Sequence, residues 1–390
     1  MFTRTITKSP DLVTKYYHKM TDLSKLKIAL IYDRVNKWGG AERVLLALHD
    51  LFPQAPLYTA VYNPKTAGWA KVFPEVIPTF LQHFPFAKSN HELYPWLTPL
   101  AFESLNLDKY DAIISVTSSD SKGIITKPST FHLCYCLTPT RYLWSHEQLY
   151  RQQVSSVYYP VFNYLKSWDQ IACQRPDSYI AISQTVQSRI SQYYHRISPV
   201  VYPPVDVDAY SVPQPRPSVR DFFLYVGRLV FHKQPELVIR AFNQINLPLV
   251  VIGTGKEEKR LKKLAKSHIL FAGLVSQESL IAHYQHSRAV IYFHEEDFGL
   301  VPVEAHAAGK PVIALNRGGA GEVVIHEQTG LLINENSEEA LKKAVMNFDD
   351  YSFDTELIRS RARNFSLERF RAEFVKVFTS EWTKYTRSFA

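Results

Sequence analysis

The sequence predicts an α/β protein of two Rossmann-like halves, each with a parallel sheet. Three observations point there. Strand-like apolar runs alternate with helical patterns along most of the chain, the arrangement of parallel strands joined by crossover helices. Pro203, Pro204, Pro213, Pro215 and Pro217 crowd one stretch between two such series. At 390 residues the chain also exceeds what one hydrophobic core usually serves.

The first series opens at residues 27–32, nearly all apolar, as a strand covered on both faces requires. Residues 40–51 repeat apolar positions at helical spacing. Further strands fit 112–116, 131–136 and 178–182, with helices at 161–173 and 184–194. The second series places strands at 222–226, 248–252, 269–272, 289–293 and 311–315. Helical patterns at 234–246, 256–266, 277–285 and 337–347 separate or follow them. A last helix fits 367–385, where Phe370, Phe374, Val377, Phe378 and Trp382 form an apolar stripe best used by burial within the chain. The expected domains are 1–205 (with 1–26 as an extension), a proline-rich linker at 206–220, a second domain at 221–366, and a C-terminal helix at 367–390.

Residues 289–315 carry the most chemistry. An apolar strand leads into Glu295-Glu296-Asp297, breaks at Gly299, and continues as a helix before the next strand. A strand end, a glycine turn and uncapped helix amides make an anion site. Glu296 and Glu304 stand eight residues apart across that turn. A helix over 298–304 rises by roughly 9 Å, close to the reach from a sugar across a diphosphate to a ribose. One element can therefore serve all three parts of a nucleotide-sugar. Arg228 and Lys233 follow the strand at 222–226, at the end of the sheet where ligands of such folds bind. Gly39 and Gly40 lie between the first strand and its helix, where missing side chains let backbone approach a phosphate or a hydroxyl. Alone they are a turn signal, as is Gly253-Thr254-Gly255. The run Gly318-Gly319-Ala320-Gly321 reads as a hairpin-like turn at the edge of the second half.

Composition excludes several classes. Hydrophobic residues at 46% and charged residues at 21% are ordinary for a globular protein. No eighteen-residue apolar run is present, and residues 1–25 lack a signal-peptide block, so the cytoplasm is expected. The net charge of +8 suits phosphorylated ligands or an anionic membrane surface, and no nucleic-acid module accompanies it. Its densest stretch, 256–266, reads as a solvated helix face. Cys134, Cys136 and Cys173 are too few for a disulfide framework, and Cys134 and Cys136, alternating with His132, lack a second ligand pair for metal. Asp206-Val207-Asp208 mimics a metal-binding D-x-D but lies in the proline-rich linker.

Six blocks in order resemble the retaining glycosyltransferases of family four, which have the GT-B fold. Glu296 through Glu304 is similar to their E-x7-E motif, and Gly39-Gly40-Ala41-Glu42-Arg43-Val44-Leu45 to their N-terminal glycine loop. Cys134-Tyr135-Cys136-Leu137-Thr138-Pro139-Thr140-Arg141-Tyr142-Leu143-Trp144 resembles the "CYCHTPxRYxW" block of the branch of O-antigen mannosyltransferases. Tyr202-Pro203-Pro204-Val205-Asp206, Val226-Gly227-Arg228-Leu229 with Lys233, and Gly318-Gly319-Ala320-Gly321-Glu322 complete the series.

The resemblance implies two domains facing across a cleft, a C-terminal helix crossing back to the first, and a metal-independent transfer without cofactors. It implies retaining transfer of a hexose, foremost mannose from GDP-mannose, to a lipid-linked or polysaccharide acceptor in cell-surface glycan or lipopolysaccharide assembly. Glu296, Arg228 and Lys233 take the catalytic roles: Glu296 beside the sugar, the two cations on the departing diphosphate. Gly39, Gly40, Leu137, Phe298, Gly299, Leu300 and Glu304 complete the donor site, with Glu304 on the ribose hydroxyls. Arg141 and Tyr142 are the acceptor candidates, and peripheral contact with an anionic membrane is the expected setting. Leu137 departs from the family, which has histidine there. That departure keeps open a second class, a nucleotide-sugar-binding protein without transfer activity. A GT-B epimerase is more distant, since its catalytic acid pattern is not evident.

Overall fold

The computed structural model describes residues 25–153 and 155–389. All but the last two residues of the N-terminal extension expected at 1–26 lie outside that range. The described chain divides into two compact units, one running to Tyr202 and resuming at Phe370, the other Pro203–Arg369.

The first unit is built on β1 (Ile28–Tyr32), α1 (Gly40–Leu51), β2 (Leu57–Thr59), β3 (Val76–Pro78), β4 (Ala112–Thr117), β5 (Phe131–Cys136), α2 (Tyr159–Ala172), β6 (Ser178–Ala181) and α3 (Gln184–Tyr194). Its sheet is parallel throughout, in the order β3-β2-β1-β4-β5-β6. Every residue of β1, β4 and β5 is buried, which accounts for their mostly apolar sequence, with Ser115, Thr117 and His132 as the polar exceptions. The second unit repeats the plan with β7 (Phe223–Val226), α4 (Pro235–Ile245), β8 (Leu249–Ile252), α5 (Glu258–Leu264), β9 (Ile269–Gly273), α6 (Gln277–His286), β10 (Val290–Tyr292), α7 (Leu300–Ala307), β11 (Val312–Leu315), α8 (Ala320–Val323), β12 (Gly330–Ile333) and α9 (Glu338–Met346). Its order, β12-β11-β10-β7-β8-β9, is the same winding. Each sheet therefore has one switch point, between β1 and β4 and between β7 and β10, where neighbouring crossovers leave in opposite directions.

The last helix, α10 (Leu367–Arg387), carries its stripe into the first unit. Phe374 and Phe378 meet Phe52, while Phe378, Trp382 and Tyr385 surround Phe131. Val375 is buried and Val377 only half-buried, a small rotation of the expected stripe. The proline-rich segment is fastened to the second unit. Tyr210 is buried against Tyr284, and the Gln285 side chain donates to the carbonyls of Tyr210 and Val212. Asp206 accepts from the Ala209 amide at 3.3 Å, a turn-capping use of that carboxylate.

The basic run at 256–266 is a solvated face: Arg260 pairs with Glu236 and Glu257, and Lys262 with Glu258, all with half-exposed cations. The three cysteines are buried thiols. Burial lowers the His132 imidazole to about 3, and its Nε2 meets the Ser115 hydroxyl at 2.8 Å. Among the described residues no helix is long and apolar enough to cross a membrane.

Candidate functional site

The site of the second unit lies at its switch point, beyond the C-terminal ends of β7 and β10. Ser183, Ser276 and Ser337 cap α3, α6 and α9 with side-chain oxygens, satisfying amides that would otherwise be left over. Helix α7 begins instead at Gly299, and α1 at Gly39, neither of which can cap with a side chain. Gly299 has φ of 89°, a conformation costly for other residues. A Cβ there would also meet the Tyr292 hydroxyl at 2.4 Å.

The side chains ahead of that turn converge. Glu296, on the loop between β10 and α7, takes the Lys233 ammonium on Oε1 and the Tyr292 hydroxyl on Oε2. His294 Nε2 stands 3.6 Å from the same Oε2. The Glu296 side chain keeps 25% exposure and Lys233 10%, so the pair faces outward from a mostly dry base. Glu304, in the body of α7, is 4% exposed and accepts from the Tyr284 hydroxyl at 2.6 Å. Phe298 turns its ring onto Phe365, leaving backbone to line the turn, and Leu300 is the first helical residue. Arg228 is exposed on the loop after β7.

One expectation needs correction. The run at 318–321 forms no hairpin, because every strand around it is parallel. Gly318 (φ 63°) instead makes a parallel bridge with Glu296, and the Gly319 amide donates to the Glu296 carbonyl at 2.8 Å. A Cβ on Gly318 would lie 2.0 Å from that carbonyl oxygen, so this glycine permits the loop to brace Glu296 from below. The chain then enters the single turn of α8.

In the first unit, Gly39 and Gly40 start α1 just after β1, and Glu42 in its first turn is buried. Burial raises the Glu42 carboxyl, while the Tyr32 hydroxyl, 2.8 Å away, favours its charged form. Asp33, one residue past β1, accepts from the Ser118 and Ser121 amides at 2.7 and 3.0 Å and from the Thr117 hydroxyl at 3.0 Å. It ties the loop after β4 to the end of β1. Asp120 on that loop is pushed up to about 7 by burial.

Leu137 is half-buried, its amide donating to the Thr117 carbonyl at 2.8 Å. Arg141 and Tyr142 follow on a loop anchored by a buried pair: Lys122 and Asp169, 2.5 Å apart, with side chains 1% and 0% exposed. Asp169 also accepts from Thr140 at 2.9 Å and Trp144 at 2.8 Å. Desolvation favours neutral Lys122, but Asp169 outweighs it and raises the ammonium pKa.

Structure thus brings Lys233, Glu296, Phe298, Gly299, Leu300 and Glu304 into one constellation in the second unit. Gly39, Gly40, Leu137, Arg141 and Tyr142 belong to the first. Sequence reasoning missed Tyr292, Tyr284, His294, Asp33 and the Lys122–Asp169 pair. A polar residue at the end of an apolar strand was the available signal for Tyr292 and Asp33. The other partners are set by contacts distant in sequence.

Comparison with known proteins adds to this geometry. Residues 206–356 match the family model described as "Glycosyl transferases group 1". An uncharacterized glycosyltransferase of Methanocaldococcus jannaschii is 27% identical over 242 residues, 55% of this chain and 61% of that one. A GDP-mannose-dependent alpha-(1-6)-phosphatidylinositol monomannoside mannosyltransferase of Mycobacterium tuberculosis is 31% identical over 196 residues, 42% of this chain and 50% of that one. The chain thus spans less than two thirds of these relatives. Among solved structures, Anabaena Alr3699/HepE in complex with UDP superposes with a TM-score of 0.65 at 19% identity, covering 91% of this chain and 100% of that one. The two six-stranded parallel sheets are those of the GT-B fold, and within it residues 206–356 are similar to the glycosyl transferases of group 1.

Proposed function

We propose that the protein is a retaining glycosyltransferase that moves a hexose, foremost mannose from GDP-mannose, onto a lipid-linked or polysaccharide acceptor. The observation that carries this reading is the pair of carboxylates, Glu296 and Glu304, on either side of the uncapped Gly299 turn, within the matched domain. Glu296 places negative charge beside the sugar, where an oxocarbenium-like transition state is positive. Lys233 and Arg228 stabilise the departing diphosphate together with the amides of Phe298, Gly299 and Leu300. The leaving phosphate takes the acceptor proton on the face it departs from, so no separate base is required. Glu304 accepts the ribose hydroxyls. Helix amides and cations do the work that a metal does in other transferases. The mannosyltransferase relative supports the choice of donor.

A membrane-side acceptor is supported by one surface of the first unit. Phe84, Phe86, Leu93, Trp96 and Leu100 are 37–77% exposed in one segment, with exposed Lys88 among them. Aromatic and cationic side chains suit the boundary of an anionic bilayer, and the reading places the protein at the inner face of the cell membrane.

The test is transfer to a lipid-phosphate acceptor from GDP-mannose, UDP-glucose and UDP-N-acetylglucosamine, in chelator, by wild type and Leu137→His. Wild type is expected to transfer, with the substitution changing rate or sugar preference. The second reading, a sugar-nucleotide-binding protein, is motivated by Leu137. It gains if wild type transfers nothing while Leu137→His does. Transfer that collapses in chelator and returns with manganese would remove the metal-free leaving-group model. Glu304→Ala is expected to weaken nucleoside diphosphate binding by about 1–3 kcal/mol, measured by calorimetry. Unchanged affinity would take Glu304 off the ribose.

A further inference from the structure

We infer that Tyr292 is a positioning residue for Glu296, and that together with Tyr225 it presets the Lys233–Glu296 pair before any sugar arrives. The inference rests on the transfer reading above. Glu296 sits on a loop and its carboxylate stands at the end of a flexible side chain, whose ordering costs conformational entropy. Something must hold its carboxylate, because misplacement by an ångström is felt strongly in catalysis.

Two tyrosines meet that need from adjacent strands. Tyr292 ends β10 and Tyr225 lies in β7, whose pairing puts Ile291 opposite Tyr225. Both are 1% exposed. The Tyr292 hydroxyl donates to Glu296 Oε2, and the Tyr225 hydroxyl donates to the Lys233 carbonyl at 3.2 Å. One hydroxyl therefore fixes the acid of the ion pair, and the other fixes the loop that carries its cation.

Packing leaves the Tyr292 hydroxyl little freedom. Its ring lies 4.3 Å from that of His294, and the Cβ that Gly299 lacks would stand 2.4 Å from its oxygen. Gly299 thus has a second reason to be glycine: the tyrosine hydroxyl occupies the place of a side chain beneath the turn. Held this way, Oε2 has a fixed donor below, while the Glu296 side chain keeps 25% exposure.

Tyr292→Phe keeps the ring and removes only the hydroxyl. It is expected to lower kcat for sugar transfer about tenfold to a hundredfold, with nucleoside diphosphate affinity by calorimetry unchanged. Because Tyr292 acts through Glu296, adding Tyr292→Phe to Glu296→Gln should cost little more than Glu296→Gln alone. A merely structural tyrosine would give a full additional loss or would weaken nucleotide binding too. Tyr292→Phe at wild-type kcat beside an impaired Glu296→Gln overturns the inference and leaves the transfer reading standing. So does additivity of the two substitutions. Absence of transfer by wild type with every donor overturns both, and that blank distinguishes it from the other outcomes.

Discussion

Glu296→Gln is expected to lower sugar transfer by about 10²–10³-fold, the loss typical of removing one preorganised charge from a transition state. Affinity for the free nucleoside diphosphate should change by less than about 1 kcal/mol, because the carboxylate is assigned to the sugar and not to the nucleotide. The geometry explains why so small a change in shape has so large an effect. Glu296 accepts on both oxygens, from Lys233 and from Tyr292. A glutamine offers one carbonyl oxygen and one NH2 group, so either the Lys233 ammonium meets a donor or the Tyr292 hydroxyl has to turn and accept. Lys233 also loses its counter-charge in a side-chain environment only 10% exposed. The measurement is single-turnover transfer alongside calorimetry with the diphosphate. Full activity in Glu296→Gln would remove Glu296 from the chemistry.

Asp169→Ala is expected to destabilise the first unit by about 3–5 kcal/mol, since it leaves the Lys122 charge buried without its carboxylate. Thr140 and Trp144 lose an acceptor in the same step. Loss of the anchor also frees the loop with Arg141 and Tyr142, whose ring packs against Tyr150 and Phe162. Urea unfolding followed by tryptophan fluorescence reads the change, with the two units allowed separate transitions. Removing both charges, in Lys122→Met with Asp169→Leu, should recover part of the loss, because an apolar pair of similar volume often replaces a buried ion pair at little cost. Recovery stays incomplete while Thr140 and Trp144 lack their acceptor. A single Asp169→Ala with an unshifted transition would show that the pair is not an anchor.

The alternation that predicted two parallel sheets is realised in both, because a strand buried on two faces writes a short apolar run into the sequence and an amphipathic helix a period of about 3.6 residues. Strands β2, β3 and β12 escaped that reading. They are three or four residues long and form because a neighbouring strand offers a ladder. The segment from β10 through Gly299 to α7 was legible whole, since its parts are adjacent in the chain. The turn at 318–321 was misread because Gly-Gly is compatible with several turns, and only contact with the Glu296 backbone selects one.

The sequence by itself determined the alternation of strands and helices, the glycine that opens α7, and the carboxylates placed before and within that helix. These are properties of neighbouring residues, written into local periodicity and turn chemistry. Only tertiary structure decided which side chains those carboxylates meet. Lys233 reaches Glu296 across 63 residues, Tyr284 reaches Glu304 across 20, and Lys122 reaches Asp169 across 47. Such meetings depend on strand order and on which crossover lies beside which. A lysine after a strand has the same local sequence whether it ends against a carboxylate or in water, so the contact is settled only once both strands have taken their places in the sheet.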